Sequence, residues 1–255
     1  MTRVIDSNAL PEADHQTIKV LDYDVAALDL NRAVGWCLAA VREEQPKLLV
    51  TTNPEIIIQA ETDSELKTAL LAADLTVADG VGVVWAARQA GHALPGRVPG
   101  VELAARVLVE GGANLSVYFL GAKPGVAERA ANNARERYGV KVAGYQHGYF
   151  KRPDDIPAVL KSVRGSDADL LLAGLGEGQE LFLHRYRNEL NIPLMIGVGG
   201  TLDVLAGEVT RVPPVFRRAG LEWLYRVGSD PKRWHRFPRL IRFVRLVLTR
   251  TSPGG

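Results

Sequence analysis

From about residue 20 onward the chain alternates two hydrophobic rhythms. Short, nearly continuous apolar runs occur at Lys47–Thr52, Leu75–Ala78, Ser116–Leu120, Lys141–Tyr145, Asp169–Ala173 and Leu194–Val198. Between them lie stretches with apolar residues at helical spacing: Asp29–Glu44, Ser64–Ala73, Val101–Glu110, Val126–Tyr138, Ile156–Val163 and Gln179–Leu190. Apolar runs without alternation are strands buried on both faces, and their alternation with helices predicts βαβ units. The expectation is an α/β fold: a mostly parallel, Rossmann-like sheet with helices on both faces. Residues 1–18 are polar and aperiodic, and are expected to form a flexible tail.

The rhythm changes at Pro213–Pro214. The following segment is helical in type and rich in arginine. On a helical wheel Leu240, Ile241, Val244, Val247 and Leu248 share one face, and Arg239, Arg242, Arg245 and Arg250 lie largely on the other. Trp234 and Phe237 stand at its edge and Pro238 starts it. A basic amphipathic helix with aromatics at its edge suits a membrane surface. A helix packed on the body with a solvated arginine face is the competing use of the same pattern. The expected organisation is a tail (1–18), a Rossmann-like catalytic domain (19–212) and a basic helical, membrane-associating appendage (213–255).

Composition narrows the class. The chain has 255 residues, 47% of them hydrophobic, which suffices for one large core. One cysteine, Cys37, excludes an internal disulfide and a cysteine-based zinc site, and fits a reducing compartment. The N-terminus carries no apolar signal-peptide core, and no run of 18 apolar residues occurs. Net charge is +2, unevenly spread. From Arg211 onward there are 11 Lys/Arg against 2 Asp/Glu, a net of +9, leaving 20 basic and 27 acidic residues before it, a net of −7. A basic tail on an acidic body points to an anionic partner. No basic–aromatic interleaving or nucleic-acid module accompanies it, which argues against nucleic acid.

In an open parallel sheet ligands bind beyond the carboxyl ends of the strands, so the residues there carry the candidate chemistry. After the first run comes Thr51-Thr52-Asn53-Pro54-Glu55, whose short polar side chains suit a sugar or phosphate, and equally suit capping the next helix. After the second comes Ala78-Asp79-Gly80-Val81-Gly82, where Asp79 is either a carboxylate over the sheet or part of a plain turn. Arg97 follows, just before a helix start. Gly121 opens a glycine turn after the third run, and Tyr149 after the fourth could stack on a base or fill the core. Gly174-Leu175-Gly176-Glu177-Gly178-Gln179-Glu180 and Gly197-Val198-Gly199-Gly200-Thr201-Leu202-Asp203 complete the row. Gly199 and Gly200 form a nest whose amides can face a diphosphate. Neither turn is the dinucleotide fingerprint or a Walker loop, so neither a dinucleotide oxidoreductase nor a P-loop enzyme is indicated.

In order, these pieces resemble the WecG/TagA/CpsF family of bacterial glycosyltransferases, from about Val20 to Arg245. The resemblance rests on Thr-x-Asn-Pro-Glu at 51–55, Ala-Asp-Gly-x-Gly at 78–82, Arg-x-x-Gly-x-Glu-Leu at 97–103 and Phe-Leu-Gly at 119–121. Gln-Glu at 179–180, Gly-Val-Gly-Gly-Thr-x-Asp at 197–203 and Leu-Glu-Trp-Leu-Tyr-Arg at 221–226 extend it. The Pro-Lys usual before Gln-Glu is replaced here by Gly-Glu-Gly, which bears on local donor or acceptor contacts.

The resemblance implies an inverting, metal-independent transferase without cofactor. It would use a UDP-sugar, with N-acetylmannosamine from UDP-ManNAc as the leading candidate, and an undecaprenyl-diphosphate-linked acceptor. It implies Asp79 as general base, with Arg97 and Gln179 beside it and Thr51 and Asn53 as binding positions. Asp203 falls near the nucleoside, and Arg226, Arg233 and Arg236 help hold the diphosphate. The expected location is the cytoplasmic face of the cell membrane, reached through the C-terminal helix. The same apolar tail surface would equally serve a homo-oligomer. Another UDP-sugar, glucose or glucuronate, or a non-catalytic nucleotide-sugar-binding role, are the alternatives.

Overall fold

The computed structural model describes residues 15–150, 152–209, 212, 216 and 237–251. A two-stranded antiparallel hairpin, β1 (Thr17–Val20) and β2 (Tyr23–Ala26), opens the described chain. Its turn places Leu21 at φ 56°, and β1 begins inside the stretch expected to be tail. Then follow α1 (Leu30–Ala40), β3 (Lys47–Thr52), α2 (Pro54–Ala60), α3 (Ser64–Leu71), β4 (Leu75–Ala78), α4 (Val81–Gln89) and α5 (Gly100–Gly111). The second half runs β5 (Ser116–Gly121), α6 (Val126–Tyr138), β6 (Lys141–Gln146), α7 (Ile156–Arg164), β7 (Leu170–Gly174), α8 (Gln179–Arg185), α9 (Arg187–Leu190), β8 (Leu194–Gly197) and α10 (Thr201–Leu205). The last described helix is α11 (Phe237–Thr251).

β3 to β8 form one parallel sheet in the order β4-β3-β8-β7-β5-β6. The expected α/β class and parallel sheet are borne out. β8, the last strand in sequence, slots between β3 and β7, so the final βα turn comes to lie in mid-sheet. Successive strand residues serve opposite layers, as the pleat requires. Leu48 and Val50 of β3, with Leu171 and Ala173 of β7, face α2, α3, α4, α7, α8 and the hairpin. Leu49, Leu170, Leu172, Leu194 and Ile196 face α1, α5, α6 and α10. With both faces covered, every residue of β4, β7 and β8 is buried, which is why these runs read as unbroken hydrophobic stretches.

The C-terminal helix departs from the wheel expected of it. Phe243 and Val247 are fully buried against the α2/α4 side of the core, while Phe237, Ile241, Val244 and Leu248 are exposed. The helix thus carries two apolar stripes, one packed inward and one open. Its arginines divide likewise. Arg239 pairs with Glu55 (2.9 Å) and Glu177 (2.7 Å), and Arg250 with Asp22 (3.1 Å) and Glu61 (2.8 Å), whereas Arg242 and Arg245 are exposed. The acidic surface of the body draws two of the four onto itself.

Candidate active site

The parallel register puts the polar strand ends in one row along a single sheet edge. Thr52 stands opposite Ala78, so the next pair is Asn53 and Asp79; Ala173 stands opposite Gly197, and Gly174 opposite Gly121. From Asp79 beyond β4 to the turn after β5 the row crosses four strand spacings, roughly 19 Å. That is the scale of an extended nucleoside diphosphate with a sugar at its end.

At the β3–β4 end, Thr51 is buried, and a side chain at Gly100 would sit 3.1 Å from its Oγ1, so α5 starts hard against it. Asn53 caps α2: its Oδ1 accepts from the amides of Glu55 (3.0 Å) and Ile56 (3.1 Å), and Pro54 opens the helix. Both bonds use the oxygen, so the Nδ2 protons are not spent on the cap. The capping and binding uses weighed from the sequence are therefore compatible. Asp79 is half-buried and donates its amide to the Thr52 carbonyl (2.7 Å), one residue beyond β4. Gly80, at φ 93°, turns the chain into α4. The Val98 amide bonds to the Ala78 carbonyl (2.7 Å), which brings the half-buried Arg97 alongside the Asp79 corner.

At the β5–β7 end an open cleft of about 240 Å³ is lined by Ala122, Lys123, Gly148, Tyr149, Gly174, Leu175, Gly176 and Asp203. It unites Tyr149 and Asp203, 54 positions apart in sequence, beside the Gly121 turn. Tyr149 is half exposed, with its amide donating to His147 Nδ1 (3.2 Å), so it stands over the cleft rather than in the core. Gly121 is at φ 135°, and any side chain there would run into the Gly174 carbonyl. Next to it Ala122 holds φ 55°, donates to the Gly174 carbonyl (2.9 Å) and accepts from the Gly148 amide (2.9 Å). A non-glycine residue held left-handed by two such bonds is the kind of strain that accumulates at ligand sites.

Between the two ends, the β8–α10 turn is set by Gln179. The Gln179 Oε1 accepts from the Gly199 amide (3.1 Å) and its Nε2 donates to Glu180 Oε1 (2.7 Å). Gly199, at φ 50°, thus spends its own N–H inside the protein, and Thr201 spends its amide on Val198 (3.0 Å). Gly200 is the residue of the nest between them. Glu180 is buried, and burial pushes its carboxyl above the usual carboxylate range.

The structure brings together Thr51, Asn53, Asp79 and Arg97 at one end and Gly121, Tyr149 and Asp203 at the other, with Gln179, Gly199 and Gly200 between. Arg226, Arg233 and Arg236 lie outside the described residues. Sequence reasoning passed over Lys123, Glu55, Glu177, Arg239 and Glu180. Lys123 follows Gly121 by two positions in the glycine turn and could have been found. The contacts of Arg239 with Glu55 and Glu177 join positions more than 60 residues apart, and no local pattern signals them. Those pairs tie the first turn of α2 and the loop after β7, on either side of β8, to the start of α11.

A fold of this kind with a polar row beyond the strand ends belongs to the class of open α/β proteins that bind ligands along that sheet edge. Comparison with known proteins places it. The model of the glycosyl transferase WecG/TagA/CpsF family matches residues 18–253. The chain belongs to that family and is a glycosyltransferase. Among its relatives is the N-acetylglucosaminyldiphosphoundecaprenol N-acetyl-beta-D-mannosaminyltransferase of Bacillus spizizenii, 35% identical over 203 residues, 78% of each chain.

Proposed function

We propose that this glycosyltransferase moves N-acetylmannosamine from UDP-ManNAc, with inversion, onto a sugar linked to polyprenyl diphosphate. The observation that carries the reading is the row along one sheet edge, with the Asp79 carboxylate at one end and a nucleoside-sized cleft at the other. The choice of sugars follows the name of the Bacillus spizizenii relative.

The mechanism follows from that row. Uridine lies by Tyr149 and Asp203, the diphosphate crosses the Gly200 turn, and the sugar reaches towards Asn53 and Asp79. The acceptor hydroxyl attacks the anomeric carbon in line with the departing phosphate, and Asp79 takes its proton as the bond forms. The leaving diphosphate gains charge, which backbone amides and the arginines of the appendage stabilise. Arg97, brought to the same strand-end corner by the Val98–Ala78 backbone bond, can serve the donor phosphate or sugar. Arg226, Arg233 and Arg236, which precede α11 in sequence, are the arginines assigned that role.

The same reading sets the enzyme peripherally on the cytoplasmic membrane face, with residues 213–255 as the docking appendage. Among the described residues no helix is long and apolar enough to cross a membrane. The open stripe of α11, with Ile241 58% and Phe237 47% exposed and Arg242 and Arg245 beside it, supports docking. Each arginine near an anionic leaflet adds about 1 kcal/mol. Because α11 starts at the Glu55–Glu177 rim, docking this stripe would hold the site edge near the lipid headgroups, where the acceptor's diphosphate lies.

The test compares wild type with Asp79→Asn, using UDP-ManNAc and a short-chain GlcNAc-diphosphate lipid. A β-linked product from the α-linked donor, with turnover down about 10²–10⁴-fold in the variant and UDP affinity retained, is expected. Normal turnover by Asp79→Asn would end the base assignment.

A further inference from the structure

Gln179 and Glu180 are buried neighbours on the first turn of α8, 7% and 6% exposed, and both side chains point at the adjacent strand end. The hydrogen bonds fix the orientation of the Gln179 amide. Gly199 offers an N–H and so faces the amide oxygen; the NH₂ group then meets Glu180 Oε1. The space they occupy exists because residue 197 is glycine: a Cβ there would lie 2.7 Å from Gln179 Nε2 and 3.0 Å from Glu180 Oε1. Beyond Gly199, at φ 50°, the chain turns through Gly200 into α10 and reaches Asp203 in the cleft. The side chain that sets this turn comes from a different strand–helix connection.

We propose that Gln179 is a positioning residue that sets the β8–α10 turn for the donor diphosphate, oriented in turn by Glu180, and not a group that touches the reacting sugar. The proposal rests on the reading of this turn as the diphosphate site. A buried carboxylate is a costly anchor, since burial disfavours its charge. It holds the Gln179 amide against rotation, and Gly199 with it. Were the turn to relax, the phosphate-facing backbone would shift while Asn53, at the end of β3, and Asp79, beyond it at the end of β4, stayed in place. The signature is therefore lost donor affinity with the chemical step preserved.

The experiment is a calorimetric titration with UDP and donor steady-state kinetics across pH 6–9. It uses wild type, Gln179→Leu, Gln179→Glu, Glu180→Leu and Glu180→Gln, each first checked for its melting transition. Gln179→Leu and Glu180→Leu are expected to weaken UDP binding about tenfold, roughly 1.4 kcal/mol. Donor KM should rise in parallel and kcat should change far less. Glu180→Gln keeps an acceptor oxygen and should recover most of that loss. Gln179→Glu is the isosteric variant that keeps the proposal testable should the leucine variants unfold. Two carboxyls at this separation share one proton. Its UDP affinity should match wild type at the acid end and fall as pH rises and that proton leaves.

A Gln179→Glu profile parallel to wild type, or a Gln179→Leu variant that loses kcat with UDP affinity intact, would overturn the positioning role. Either result would leave the donor-site reading standing. Failure of the wild-type protein itself to bind UDP would overturn both.

Discussion

Replacing Phe243 by alanine tests how the C-terminal helix is held. Phe243 is fully buried, and its ring lies 3.7 Å from where a side chain on Gly82 would begin, so the α4 backbone faces it directly. Truncating a fully buried phenylalanine costs about 3–5 kcal/mol where the site cannot collapse. Other attachments of α11 include Val247, part of Leu246, and the pairs of Arg239 and Arg250 with four carboxylates. These pairs are partly exposed, and such pairs contribute about 0–1 kcal/mol each. Phe243 therefore supplies a large share of the docking energy. In Phe243→Ala the opening of α11 should become about two to four orders of magnitude more frequent, while the central strands open as before. Hydrogen exchange reads this directly: the α11 amides should lose protection and those of β7 and β8 should keep it. Ile241→Ala, on the open stripe, should stay within about 0.5 kcal/mol of wild type. Equal loss of protection in α11 and β7 would refute the reasoning, because the helix would then be one cooperative unit with the sheet.

Three further outcomes follow from particular residues. Ile241→Glu with Val244→Glu should abolish cosedimentation with vesicles containing anionic lipid and leave the melting transition in solution unchanged; retained binding would remove the stripe from the docking surface. Burial, together with the nearby Glu61 and Asp22 carboxylates, pushes the Tyr23 phenol up to about 12. The native state then holds that proton more tightly than the unfolded chain, so its contribution is intact below pH 10. It should be lost between pH 10 and 12, about 2–3 kcal/mol in denaturant titrations, and Tyr23→Phe should flatten that drop. Gly121→Ala forces a side chain into the Gly174 carbonyl at φ 135° and should cost more than about 2 kcal/mol along with UDP binding; an unchanged melting temperature and affinity would show that the two strand ends are not packed as described.

Much of the fold was legible because the main sheet is buried on both sides. Lys47–Thr52 and Leu75–Ala78 are the observed strands to the residue, and Val126–Tyr138 is the observed helix. The hairpin was missed although its signal is present: Ile18, Val20, Tyr23 and Val25 alternate with exposed or half-exposed polar residues at period two. Helix α2 was anticipated only through its cap and α4 was passed over, because their first turns, Pro54-Glu55 and Val81-Gly82, fall within motifs read as site loops. The place of β8 between β3 and β7 had no sequence signal, since strand order is decided by packing between distant segments. The strand-end rule named residues that do share one edge, because parallel strands expose their turns on the same side of the sheet. What it could not give was the division of labour within that row. Asn53 spends its oxygen on a cap and Gln179 spends both ends of its amide inside the protein, and only contacts reveal this. The two apolar stripes of α11 also needed the structure, because a wheel cannot say which part of an apolar arc meets the body.

The most direct test of the central claim is a transfer assay with the full chain, a panel of UDP-sugars and a short-chain GlcNAc-diphosphate lipid, with product mass and anomeric configuration as the readout. Transfer of one N-acetylmannosamine from UDP-ManNAc in β linkage, with no comparable product from UDP-glucose or UDP-glucuronate, is the result predicted. Preferred transfer from another donor, or retention of the donor's anomeric configuration, would contradict the account.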